Sequence, residues 1–298
     1  MNAIEVRDLR KQFGATSALC GVSFSVAPGE VFGYLGPNGA GKTTTLRIVL
    51  GLMRASGGSA TIFGVPSADP RSRLDIGFQP GNLRLYGDMT AAATLDYFAR
   101  FRPTHPPRLR SMLVDALNVD AGTLARRVKF LSDGTRQKIG LIVAMQHDPA
   151  LLLLDEPTNG LDPLVQHAFR GVVTDFAARG RAVLFSSHVL SEVEAVCNRV
   201  AILRQGELVA LETIQHLREK VVRKLSVRFR GAVPAGLDGI AGVARSEIRE
   251  REMSLWVQGN INPILRALAG AEVEDMAFPE AELEDIFLTY YQTGARNA

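Results

Sequence analysis

Apolar and polar residues alternate in two short stretches near the start of the chain, Ile4-Glu5-Val6 and Val22-Ser23-Phe24-Ser25-Val26. That is the period of half-buried strands. The turn Ala27-Pro28-Gly29-Glu30 follows. Val31-Phe32-Gly33-Tyr34-Leu35 is then a nearly continuous apolar run, suited to a buried strand. A glycine-rich loop leads into a helix predicted from about Lys42 to Leu50, closed by Gly51. Residues 83–130 change texture to Ala, Leu and Arg at helical spacing, interrupted by Pro103, Pro106 and Pro107, and predict a mostly helical insert. Alternation of helix and strand returns over 131–205. It predicts a helix around Arg136–Gln146, a strand at Leu151–Leu154, a helix near Pro163–Ala178 and a strand at Ala182–Phe185. The next helix begins near Val189, and Ser191-Glu192-Val193-Glu194 reads as a capping box at its start. Strand Val200–Leu203 ends at the turn Gln205-Gly206-Glu207.

From about Leu211 the pattern shifts again. His216–Arg230 holds six Lys/Arg and one Glu, which reads as a solvated face with its aliphatic side packed; a partner or lipid contact is the alternative. The chain closes on the apolar-periodic residues Leu283, Ile286, Phe287 and Tyr290. The expected organisation is a main α/β domain over 1–210, with its helical insert at about 83–145, and a small α+β appendage over 211–298.

Composition mostly excludes. With 298 residues, 46% of them hydrophobic and 22% charged, the chain is neither disordered nor fibrous and is long enough to bury a core. Net charge is +3, from 34 Lys+Arg against 31 Asp+Glu, and no dominant basic block points to nucleic acid. Cys20 and Cys197 make no disulfide framework and no zinc site, so a reducing cytoplasm is the expected compartment. The longest apolar runs, Leu141–Met145 and Ala150–Leu154, fall far short of the roughly 18 residues a spanning helix needs. The N-terminal residues carry no apolar signal core. Action at a membrane would need another chain.

The chemistry begins at Gly36-Pro37-Asn38-Gly39-Ala40-Gly41-Lys42-Thr43, which fits G-x-x-x-x-G-K-[ST] after a buried strand and before a helix. Glycines let the backbone curl so that its N–H groups point at phosphate oxygens, and the helix N-terminus adds partial positive charge. Lys42 offers an ammonium to β- and γ-phosphates, Thr43 a hydroxyl to Mg²⁺, and Thr44 carries the loop into the helix. A second pair of candidates ends the strand Leu151-Leu152-Leu153-Leu154-Asp155-Glu156. Strand ends deliver side chains to the ligand crevice of such sheets. Asp155 is placed to hold Mg²⁺ and Glu156 to polarise a water against the γ-phosphate. The alternative is that both acids cap the turn that follows.

The order of motifs then becomes specific. Leu131-Ser132-Asp133-Gly134-Thr135 precedes the Asp-Glu strand, Gly160-Leu161-Asp162-Pro163 follows it, and Ser186-Ser187-His188 comes after the next strand. Over about residues 3–210 the chain resembles the nucleotide-binding subunits of ATP-binding cassette transporters. It looks closest to exporter-type cassettes whose permease is a separate chain, through Gln137-Lys138-Ile139-Gly140-Leu141 and Leu283-Glu284-Asp285-Ile286-Phe287.

The resemblance implies an α/β P-loop NTPase core with an antiparallel β subdomain, a helical insert and the C-terminal appendage. It implies ATP and Mg²⁺ as ligands and ATP hydrolysis as the reaction. Phe13 would stack on adenine, with a core Phe in an N-terminal hairpin as the alternative. Ser132 and Gly134 would close over ATP held by a second cassette, in a homodimer or heterodimer. Asp162 would communicate across that dimer, and His188 would contact the γ-phosphate. The expected place is the cytoplasmic face of the plasma membrane, peripheral, against an integral-membrane permease. A non-transport ATPase of the same superfamily, acting on a ribosome, DNA or assembly machinery, is the alternative; a single cassette and the lack of a heptad run weigh against it.

Three departures from the family pattern stand out. Asp133 replaces a signature glycine, and Thr135 replaces the signature's final glutamine. Gly81, in Ile76-Gly77-Phe78-Gln79-Pro80-Gly81, stands where the family has a glutamine beside the nucleotide. Gln79, two positions early, is the candidate to take over that role.

Overall fold

The computed structural model describes residues 1–102, 106–220, 222–234, 236–237 and 239–279. Pro103, the apolar series Leu283, Ile286, Phe287 and Tyr290, and the Leu283–Phe287 motif lie outside the described residues. The chain divides into two compact units, Met1–Glu212 and Thr213–Ala298.

In the first unit, strands β1 (Ile4–Phe13) and β2 (Thr16–Val26) form an antiparallel hairpin. β3 (Val31–Leu35) is buried at every residue and runs into helix α1 (Lys42–Val49). β4 (Gly57–Ile62), β5 (Val65–Pro66) and β6 (Ile76–Gln79) come next. The insert supplies α2 (Ala91–Arg100), α3 (Arg110–Ala116), α4 (Ala121–Ala125) and α5 (Asp133–Met145). The chain then alternates through β7 (Leu151–Asp155), α6 (Pro163–Ala178), β8 (Ala182–Ser187), α7 (Leu190–Val196), β9 (Arg199–Arg204) and β10 (Glu207–Thr213).

Among the described residues these strands make two sheets, an antiparallel one in the order β2-β1-β4-β5 and a six-stranded one in the order β10-β9-β3-β8-β7-β6. The β9-β3-β8-β7-β6 pairings are parallel, so these five strands end on one edge. Their continuous apolar runs follow from burial on both faces. Helix α6 shows why its residues are helical. Asp162 accepts from Val165 N at its N-cap, Pro163 opens the first turn, and Val165, Phe169, Val172, Val173 and Phe176 fall on one buried face.

One helix start and one helix cap differ from the sequence expectation. α5 begins at Asp133, three residues before the predicted Arg136, because Ser132 Oγ accepts from Thr135 N and caps the helix earlier. The predicted capping box of α7 is not used. Ser191 lies inside the helix; Ser187 Oγ instead accepts from Val189 N at 2.9 Å and donates to Glu192 Oε2 at 2.7 Å. The strand end itself therefore organises the turn.

The second unit contains α8 (Ile214–Lys220), β11 (Val222–Phe229), β12 (Val243–Arg249), β13 (Glu252–Gln258), α9 (Asn262–Leu268) and β14 (Val273–Ala277). Its sheet runs in the order β12-β13-β11-β14. Leu225, Val227 and Phe229 face a core shared with Met253, Leu255 and Ile264, while Lys224 and Arg228 face outward on the alternate positions.

Candidate nucleotide site

The loop from Gly36 to Thr43 joins the buried end of β3 to the start of α1. Gly41 sits at φ +109°, a backbone setting that side chains avoid, and its position sets the first turn of the helix. Thr45 fastens that turn to the sheet: its hydroxyl bonds the Gly41 carbonyl at 3.1 Å and lies 3.0 Å from the buried Tyr34 hydroxyl. Burial pushes the Tyr34 phenol well above its usual pKa, so it stays neutral. The cleft beside this loop measures about 500 Å³ and takes Pro37, Asn38, Gly39, Gly41, Lys42, Thr43 and Thr44 as one wall. Gly36 and Ala40 sit behind that wall; Gly36 packs against the Leu203 carbonyl, and Ala40 is buried.

Lys42 is only 6% exposed, which is costly for an ammonium unless it is bonded on several sides. Its Nζ donates to Gly36 O at 2.6 Å and lies 3.2 Å from Glu156 Oε1. Glu156 Oε2 in turn lies 2.6 Å from His188 Nδ1. Lys42, Glu156 and His188 thus form one connected row. Glu156 reaches into it from a left-handed backbone setting, φ +51°, fixed by the bond from its own N to Ser186 O at 3.1 Å. Such a setting costs a non-glycine residue about 1–3 kcal/mol and concentrates at functional sites. Gln137 supports the same turn by donating to Pro157 O at 2.9 Å.

Thr43 Oγ1 donates to Asp155 Oδ2 at 3.0 Å, and Ser186 Oγ donates to Asp155 Oδ1 at 2.6 Å. The parallel register of β7 and β8 sets Asp155 beside Ser186. A threonine hydroxyl and one carboxylate are the kind of oxygen set that Mg²⁺ takes when substrate phosphates and waters complete its shell, so these residues fit that cation.

Other predicted residues lie elsewhere on the chain. Ser132 and Gly134 are at the start of α5, where a Cβ on Gly134 would collide with the Gly160 carbonyl. The signature loop and the Gly160–Asp162 loop therefore pack on each other, outside the residues that line the cleft. Asp133 is exposed and ion-paired with Arg136, which also donates to Leu131 O at 2.8 Å. Phe13 is 47% exposed at the end of β1, with Lys11 Nζ 4.9 Å from its ring centre; it is neither a core residue nor a lining residue of the cleft.

Gln79 is not at the cleft. Its side chain is fully buried on the opposite face of β6, against Gly140 of α5, and neither amide atom has a partner. Alternation along the strand gives the cleft to Phe78 instead, followed by Pro80, Gly81 and Asn82. The sequence reading also missed Ser186 and Gln137, although Ser186 was visible in the Ser-Ser-His motif.

Comparison with known proteins agrees with this geometry. Residues 19–159 match the family described as ABC transporter. Nod factor export ATP-binding protein I of Burkholderia pseudomallei (strain 1710b) is 34% identical over 297 residues, covering 96% of this chain and 95% of that protein. An uncharacterized ABC transporter ATP-binding protein of Synechocystis sp. is 33% identical, covering 90% of this chain and 76% of its own length. The solved structure of an ATP-binding subunit of an ABC transporter is 30% identical with a TM-score of 0.67, covering 72% of this chain and 92% of that one. The chain belongs to the ATP-binding subunits of ABC transporters, an ATPase family whose members work with membrane permeases.

Proposed function

We propose that this chain is the ATP-hydrolysing subunit of an exporter whose permease is a separate chain. The observation that carries the chemistry is the row Lys42–Glu156–His188 set beside the Thr43–Asp155 pair. Lys42 brings a buried positive charge to the phosphate loop and stabilises the negative terminal phosphates. Glu156 is the base: its carboxylate accepts the proton of the attacking water. His188, bonded to the far oxygen of that carboxylate, orients it and contacts the γ-phosphate. Thr43 and Asp155 would hold Mg²⁺, which would supply charge neutralisation for the phosphates. The exposed ring of Phe13 is available for stacking on adenine.

Ser132, Gly134 and Asp162 serve a second cassette. Their separation from the cleft of their own chain supports a head-to-tail dimer in which each ATP lies between one chain's phosphate loop and the other's signature loop. Export is supported by the near end-to-end match to a protein named for Nod factor export. A separate permease is supported by the resemblance of Gln137-Lys138-Ile139-Gly140-Leu141 to exporter-type cassettes whose permease is another chain.

The permease contact we assign is the groove of about 320 Å³ between β6 and the insert, lined by Leu52, Phe78, Phe98, Phe101 and Val143. Leu52 and Phe78 also border the nucleotide cleft, so a change at the nucleotide reaches the groove through two side chains. The working place is then the cytoplasmic face of the plasma membrane, peripheral, with no nucleic acid partner. Affinity purification from solubilised membranes tests this. An integral-membrane permease should co-purify and raise ATP turnover in vesicles. Recovery of ribosomes or DNA, and of no membrane protein, would contradict it.

A further inference from the structure

The wall of the cleft that faces the phosphate loop is made by the chain leaving β6. Gln79 cannot supply its polar group. It is paired in register with Leu154 of β7, and turning its amide to the cleft would move every β6 side chain to the other face. Gly81 comes next to the cation-side carboxylate: a Cβ there would lie 3.4 Å from Asp155 Oδ2 and 3.3 Å from Asp155 O. This part of the backbone therefore lies against Asp155 with no side chain of its own to offer. Asn82 follows directly, is exposed, and lines the same cleft as Thr43, Asp155 and Glu156.

The chemistry of the cleft suits an amide at that point. Asp155 and Glu156 already supply two negative charges next to an incoming triphosphate. A third carboxylate would add repulsion, whereas an amide oxygen is a hard neutral ligand for Mg²⁺ and an acceptor for the hydrogens of its waters. Both oxygens of Asp155 are tied down, by Ser186 and by Thr43, so the carboxylate cannot swing to satisfy the far side of the cation.

We propose that Asn82 is a nucleotide-site residue, presenting its amide to the cation end of the cleft in the place that Gly81 leaves empty of side chain. The inference rests on the reading of this cleft as the Mg²⁺–ATP site. The test is equilibrium binding of a fluorescent ATP analogue to the full chain, measured once with Mg²⁺ and once with EDTA. Asn82→Ala and Asn82→Leu should each weaken binding by roughly 3-fold to 10-fold with Mg²⁺, about the worth of one polar contact. Both should bind like the parent in EDTA, and Asn82→Gln, which keeps the amide, should retain the Mg²⁺ effect. Unchanged affinity in Mg²⁺, or equal loss in both conditions, would overturn the role of Asn82. Lys42→Ala is measured alongside and should lose affinity in both conditions. If it does not, the reading of the cleft itself fails, and that outcome is distinct from failure at Asn82 alone.

Discussion

The phosphate-loop side and the signature side of this cassette are built to opposite specifications. On the first, every chemically active side chain is already engaged within the chain: Lys42 with Gly36 and Glu156, Thr43 and Ser186 with Asp155, Glu156 with His188. On the second, the Ser132 hydroxyl caps α5 and, among the described residues, bonds only Thr135, Asp133 points outward against Arg136, and Gly134 rests on Gly160. The first side is preorganised to hold charge in a low-dielectric cleft, where electrostatic stabilisation is strongest. The second presents a helix N-terminus outside the cleft, capped only by its own residues, and suits closure over something bound elsewhere. The difference fits the proposed reading, in which one chain carries two halves of two different sites.

Substitutions break this contrast in a graded way. The largest effect should come from Lys42→Ala, which removes the buried charge and leaves Glu156 without its cation. ATP affinity should fall roughly 10-fold to 100-fold, and turnover should be abolished, as read by binding and phosphate release. Glu156→Gln comes next. It keeps the shape of the cleft but not the base, so hydrolysis should slow by roughly a hundredfold or more with ATP binding retained. Single-turnover kinetics separate the two steps.

On the signature side the effect should be smaller. Arg136→Ala frees the Asp133 carboxylate to repel the partner's triphosphate. Turnover should fall no more than about fivefold, in line with an exposed ion pair, and the loss should shrink as salt rises. Asp133→Gly in the same chain should restore the rate. The smallest effect belongs to Gln79→Leu, which replaces an unpartnered buried amide by an apolar side chain of similar size. Stability should hold or rise by about 1 kcal/mol, read as a denaturant midpoint, and Mg²⁺-dependent ATP binding should be unchanged.

What the sequence made legible was whatever is local. The phosphate loop is one contiguous pattern between a strand and a helix, and Asp155-Glu156 announces itself as acid at the end of an apolar run. Residues that depend on pairing were not legible. Ser186 becomes a clamp for Asp155 only once β7 and β8 align in parallel. Gln79 was assigned to the nucleotide by its closeness in sequence to Gly81, but the facing of β6 is set by its register with β7, and that register turns the amide toward α5. The capping pattern at Ser191 lost to Ser187, whose hydroxyl stands at the strand end and reaches the first free N–H sooner. Asn82 lies in an irregular segment where periodicity carries no signal.

The composite site is tested most directly by complementation. A Lys42→Ala chain is damaged in its own phosphate loop, and a Ser132→Arg chain in the surface it offers to a partner. Mixed, they should form heterodimers with one intact site and one doubly damaged site. ATP turnover in the mixture should exceed that of either variant alone, and sedimentation with ATP should show dimers that neither variant forms by itself. Turnover in the mixture equal to the average of the two variants, with both chains sedimenting as monomers in ATP, would contradict a nucleotide site shared between chains.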